Sequence, residues 1–128
     1  AGDVGRAGGG LAWIAAYGKV TLNGQITANG GTDGSTGGGA GGGIYLTCRK
    51  FAGSGTLSAN GSNAGPNAGG SGGGGGGGRI AVWRMPAADT FAGTITTLPG
   101  SGGASPSAVT GTVFYGAVLE GGTVFVMH

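Results

Sequence analysis

Short clusters in which apolar and polar residues alternate recur along the chain, separated by long runs of glycine. In Ile44-Tyr45-Leu46-Thr47-Cys48-Arg49 the residues Ile44, Leu46 and Cys48 fall on one side of an extended chain, and Tyr45, Thr47 and Arg49 on the other. Ile26 and Ala28 oppose Gln25 and Thr27 in the same way, and Leu57 and Ala59 oppose Thr56 and Ser58. A period of two predicts half-buried β-strands. No stretch shows a helical period with caps. The best helical scrap, Met85-Pro86-Ala87-Ala88-Asp89, is too short.

The clusters repeat. Gly8-Gly9-Gly10-Leu11-Ala12-Trp13-Ile14 resembles Gly41-Gly42-Gly43-Ile44-Tyr45-Leu46, then Gly77-Gly78-Arg79-Ile80-Ala81-Val82-Trp83, then Gly111-Thr112-Val113-Phe114-Tyr115. The steps between their first apolar residues are 33, 36 and 33 residues. A second series follows: Gly24-Gln25-Ile26-Thr27-Ala28-Asn29-Gly30, Gly55-Thr56-Leu57-Ser58-Ala59-Asn60-Gly61, Gly93-Thr94-Ile95-Thr96-Thr97 and Gly122-Thr123-Val124-Phe125-Val126. The chain therefore divides into units near 8–43, 44–78, 79–111 and 112–128, each reading strand, connector, strand and Gly-rich return. The fourth lacks its return.

Such spacing predicts one all-β domain, a Gly-rich β-solenoid of the parallel β-helix kind with about four strand–strand–Gly-loop units. Equivalent residues would stack in ladders, with Ile26, Leu57, Ile95 and Val124 in one inner column. An antiparallel β-sandwich is the alternative. Asn29-Gly30 and Asn60-Gly61 end equivalent strands and predict corners with left-handed backbone. Each glycine tract holds the same place ahead of a strand. That favours ordered, polyproline-II-like packing of bare backbone over a flexible linker. Rings at Tyr45, Trp83, Phe114 and Phe125 are expected beneath the returns, in the core.

Composition narrows the function classes. Glycine supplies 37 of 128 residues, and charged residues make up only 8%. Few side chains can titrate or bind a metal, so the reading is not an enzyme and needs no cofactor or metal. The acids Asp3, Asp33, Asp89 and Glu120 are scattered far apart along the chain, without a close pair for glycoside chemistry. His128 has no second ligand beside it. The formal net charge of +2 comes without a basic patch, so no nucleic-acid partner is expected. No run of apolar residues is long enough to span a membrane as a helix. Ala1-Gly2-Asp3 reads as a mature terminus or a fragment boundary. The lone Cys48 sits in an apolar run and reads as a small buried hydrophobe; an intermolecular bridge is the sharper alternative.

The pattern GGGIYL…GSGTLSANGSNAG…GGSGGGGGGGRIAV resembles the Gly-rich strand repeats of large bacterial extracellular and surface proteins of parallel β-helix type. That resemblance implies a non-catalytic structural or adhesive module located outside the cell or at its surface. The residues add that the apolar strand around Val124, Phe125 and Val126 is an edge for head-to-tail assembly with further copies into a filament or stalk. A glycan- or ice-binding face is the alternative. Its candidate residues are the outward hydroxyls Thr27, Thr56, Ser58, Thr94, Thr96 and Thr123. Asn60-Gly61-Ser62 matches the glycosylation acceptor pattern, and its plainer reading is a β-turn Asn.

Overall fold

The structure, a computed structural model, describes residues 6–32, 36–68, 72–102 and 108–118, and the backbone of 124–125. Among the described residues it is all-β apart from a 3-10 turn at Pro86–Ala88. The chain makes three similar passes. The first lays down β1 (Leu11–Ala15), β2 (Lys19–Thr21) and β3 (Gln25–Thr27). The second gives β4 (Gly43–Thr47), β5 (Lys50–Gly53) and β6 (Thr56–Ser58). The third gives β7 (Arg79–Arg84), β8 (Thr90–Phe91) and β9 (Thr94–Thr96). A fourth begins with β10 (Thr112–Val118), followed by β11 (Val124–Phe125).

Equivalent strands of successive passes pair in parallel, giving sheets β1-β4-β7-β10-β11, β2-β5-β8 and β3-β6-β9. This parallel pairing overturns the sandwich alternative. The register keeps repeat positions in columns, such as Leu11–Gly43–Arg79–Thr112 and Ile26–Leu57–Ile95. The connectors hold three further short strands, from which Val20, Phe51 and Phe91 turn inward. Two expectations need correction. Val124 does not join the column of Ile26, Leu57 and Ile95. It lies in β11, which pairs antiparallel with β10, Val118 opposite Val124. The Asn–Gly corners are not left-handed either, because no described non-glycine residue has positive φ and the one described glycine that does is Gly53, at +108°.

The core sits between the sheets. Ile44, Leu46, Phe51 and Leu57 of the second pass are at most 2% exposed, as are Ile80 and Val82 of the third. Phe51 and Phe91 stack at 4.2 Å between ring centroids and 15° between planes. Ala12, Ile14, Val20 and Ile26 of the first pass are only partly buried, since no described strand lies beyond them.

The returns join this fabric through backbone hydrogen bonds. The Gly38 and Gly41 N–H groups donate to the Gly73 and Gly76 carbonyls; those of Gly39 and Gly42 donate to Gly31 and Ala28; those of Gly75 and Gly78 donate to Ser62 and Ala59. Each series advances by three residues, the period of a polyproline-II helix, which has no internal hydrogen bonds and turns its donors to its neighbours. A Cβ on Gly30 or Gly75 would overlap the Gly39 carbonyl, so the neighbouring strands approach as only glycine allows.

Candidate functional site

Two surfaces concentrate the candidate residues. The first is the outer side of the β3-β6-β9 sheet. Ile26, Leu57 and Ile95 face the core, so their neighbours must face out. Register then builds two columns, Gln25–Thr56–Thr94 and Thr27–Ser58–Thr96. Gln25, Thr27 and Thr94 are exposed, Thr56 and Thr96 half-buried, and Ser58 is 6% exposed between its neighbours. Hydroxyls repeat about 4.8 Å across strands and roughly 6.8 Å along them. A grid of this kind offers hydrogen-bonding groups at its exposed positions, Gln25, Thr27 and Thr94. The grid stops at β9: Val124 and Phe125 lie in another sheet, and Thr123 and Val126 fall outside the described residues, as do Asp3, Asp33, Glu120 and His128.

Beside the grid runs a column that the sequence reading missed. The Asn60 N–H donates to Asn29 Oδ1 at 2.8 Å, and Asn60 Oδ1 accepts from the Leu98 N–H at 2.8 Å. Asn63 Oδ1 accepts from the Ser101 N–H, and Asn23 Oδ1 from the Ser54 N–H. These carboxamides tie one pass to the next where the strands end. The glycosylation pattern lies inside this network, with Ser62 Oγ donating to the Gly31 carbonyl at 2.6 Å and accepting from the Gly39 N–H at 2.9 Å. Asn60→Ala leaves the Leu98 amide without its acceptor. It should cost about 0.5–1.5 kcal/mol in chemical denaturation, whereas exposed Gln25→Ala should cost under about 0.5.

The second surface is the outer side of the β1-β4-β7-β10 sheet. Tyr45 and Phe114 project from it at 37% exposure each, which corrects the expectation of rings beneath the returns. The returns pack backbone on backbone and leave no room for a ring. Trp13 meets Tyr45 edge-on at 6.1 Å, and Trp83 tilts against Phe114 at 5.2 Å. Trp83 lies where a Cβ on Gly116 would sit. Arg84 binds Asp89 at 2.8 Å, donates to the Gly116 carbonyl and stacks over Tyr115. Asp89 also accepts from the Phe91 N–H, so its carboxylate braces the corner after β7. Among the described residues no three His, Cys, Asp or Glu side chains gather as metal ligands would.

Cys48 is free and 1% exposed, as the buried-hydrophobe reading expects. Burial raises its thiol pKa above the ordinary 9.0, and the Asp89 charge adds to this; a backbone hydrogen bond at Val20 and the Arg84 charge oppose it. A raised folded pKa favours the fold fully below the ordinary value and loses that contribution as pH rises through the folded one. The midpoint of denaturation should therefore fall above about pH 9, and a Cys48→Ala chain should show a shallower fall. Thiol reagents should label Cys48 only as the chain unfolds.

No family model matches the chain, and no curated protein or solved structure shows significant similarity to it.

Proposed function

We propose that the chain is a non-catalytic structural module, a Gly-rich β-solenoid that closes around its core and serves an extracellular fibre or adhesin stalk. The observation that carries this is the parallel register between the strands of successive passes, knitted to the glycine returns by backbone hydrogen bonds. A body built this way spreads load over many backbone bonds and needs little side-chain chemistry. The sequence resemblance to Gly-rich repeats of bacterial surface proteins supports the same reading, and the partner it implies is another copy of the chain. The hydroxyl grid of Thr27, Thr56, Ser58, Thr94 and Thr96 favours a second reading, a glycan- or ice-binding face.

Glycan-array and ice-growth assays separate the two. The structural reading expects neither saturable glycan binding nor altered ice growth. Binding that is lost in a folded Thr27→Lys, Thr94→Lys chain would overturn it in favour of the ligand face.

A further inference from the structure

We infer that Asn29 and Asn60 are modification sites that the fold keeps closed. In the unfolded chain each cyclises on the glycine that follows it and loses ammonia; in the folded chain one residue of the next pass holds both reacting groups.

An asparagine before glycine is prone to this reaction, because a residue without Cβ leaves its amide nitrogen unhindered and its backbone free to turn. The Gly61 nitrogen gives its proton to base and attacks Asn60 Cγ. The N–Cγ bond forms, the Cγ–Nδ2 bond breaks, and Nδ2 takes a proton from water and leaves as ammonia. The cyclic imide then adds water at either carbonyl. One product is an aspartate. In the other, an isoaspartate, the main chain is lengthened by a side-chain carbon.

The fold withholds both partners of the attack. The Leu98 carbonyl accepts from the Gly61 N–H at 2.8 Å, and the Leu98 N–H donates to Asn60 Oδ1 at 2.8 Å. Asn29 is gripped in the same way: the Asn60 carbonyl accepts from the Gly30 N–H at 2.9 Å, and the Asn60 N–H donates to Asn29 Oδ1 at 2.8 Å. A bonded N–H is kept from base, so the nucleophile does not form. Gly30 and Gly61 cannot swing toward Cγ either, since they lie against the Gly39 and Gly75 carbonyls where a Cβ would sit. Burial does not account for the protection, because Asn29 is exposed and Asn60 only half-buried.

The clamp has a structural origin. The Ala28 and Ala59 carbonyls turn to the returns, accepting from the Gly42 and Gly78 N–H groups, and the next asparagine's carboxamide takes their place toward the following pass. It recurs at Asn63, whose Oδ1 accepts from the Ser101 N–H at 2.8 Å while the Ala64 N–H donates to the Ser101 carbonyl at 2.8 Å. An isoaspartate at position 60 would carry Gly61 off the Leu98 carbonyl and out of its fit against Gly75. Time spent unfolded therefore turns reversible unfolding into permanent loss.

The test incubates the full chain at mildly alkaline pH, folded in buffer and unfolded in concentrated denaturant, and locates converted residues by peptide mapping with isoaspartate detection. In denaturant Asn29 and Asn60 convert, and recovery of the strand signal on dilution falls as isoaspartate accumulates. In the folded chain both are slowed by roughly 100-fold or more, in step with the hydrogen-exchange protection of the Gly30 and Gly61 amides. Leu98→Pro, which removes the N–H that holds Asn60 Oδ1, should speed conversion at Asn60 several-fold and leave Asn29 slow. If Leu98→Pro does not fold, exchange at the Gly30 and Gly61 amides decides. Conversion at either asparagine as fast in the folded chain as in denaturant would overturn the inference. So would unprotected Gly30 or Gly61 amides in a folded chain, or a folded Leu98→Pro chain that converts Asn60 no faster.

Discussion

A Gly75→Val chain is expected to be destabilised by on the order of 4 kcal/mol or more, enough to unfold much of it at ambient temperature. Gly75 lies in the longest glycine run, and a side chain there would enter the backbone of Gly39 and Ala40. The obstacle is main chain held by its own hydrogen bonds, the Gly39 N–H to the Gly31 carbonyl among them, so it has no rotamer by which to move aside. The adjacent Gly76 is the control. A Cβ there meets only the Val109 carbonyl, at 3.7 Å, an ordinary contact, and the aligned residue one pass earlier is Ala40. Gly76→Ala should be neutral or stabilising by about 0.4–1 kcal/mol, since it removes freedom from the unfolded chain. Denaturant titration of the two variants measures the contrast. Equal tolerance at both positions would mean that the tract is a tether.

The second large effect is expected at Phe51. Its ring is fully buried and stacks on Phe91, so it joins the second and third passes at the centre of the molecule. Phe51→Ala should cost about 3–5 kcal/mol, through lost burial and a cavity that the surrounding short strands fill poorly. That corresponds to a fall in Tm of roughly 10–20 °C for a domain of this size. Tyr17→Ala, at a fully exposed ring, should change stability by less than about 0.5 kcal/mol. Calorimetry on the two variants checks both values.

The strands with a clean alternation were legible in the sequence. The pattern predicts strands near 11–15, 44–48, 80–84 and 94–97, and the structure has Leu11–Ala15, Gly43–Thr47, Arg79–Arg84 and Thr94–Thr96. β2, β5 and β8 were not legible. Two to four residues such as Lys19-Val20-Thr21 or Thr90-Phe91 are too few to establish a period, and it is the parallel neighbour in the next pass that makes them strands. The Asn column was hidden by the Asn–Gly pair, which usually marks a left-handed turn. Here Asn60 spends its side chain on the next pass, and Gly61 is required by the approach of Gly75. The outward columns of Thr27, Ser58 and Thr96 followed from alternation, but the burial of Ser58 depends on both flanking strands being present. The reversal of the chain into β11 left no trace in the pattern, because Thr123-Val124-Phe125-Val126 repeats the second-strand motif yet pairs with β10.

The central claim is that the glycine returns are hydrogen-bonded parts of the fold. Amide hydrogen exchange, resolved at the Gly38, Gly41, Gly75, Gly77 and Gly78 N–H groups, tests it most directly, since each donates to a carbonyl of a neighbouring segment. The account predicts that these amides exchange as slowly as those of Ile44 and Val82, through opening of the whole domain. Exchange at the rate of an unstructured chain, with the core strands still protected, would contradict it.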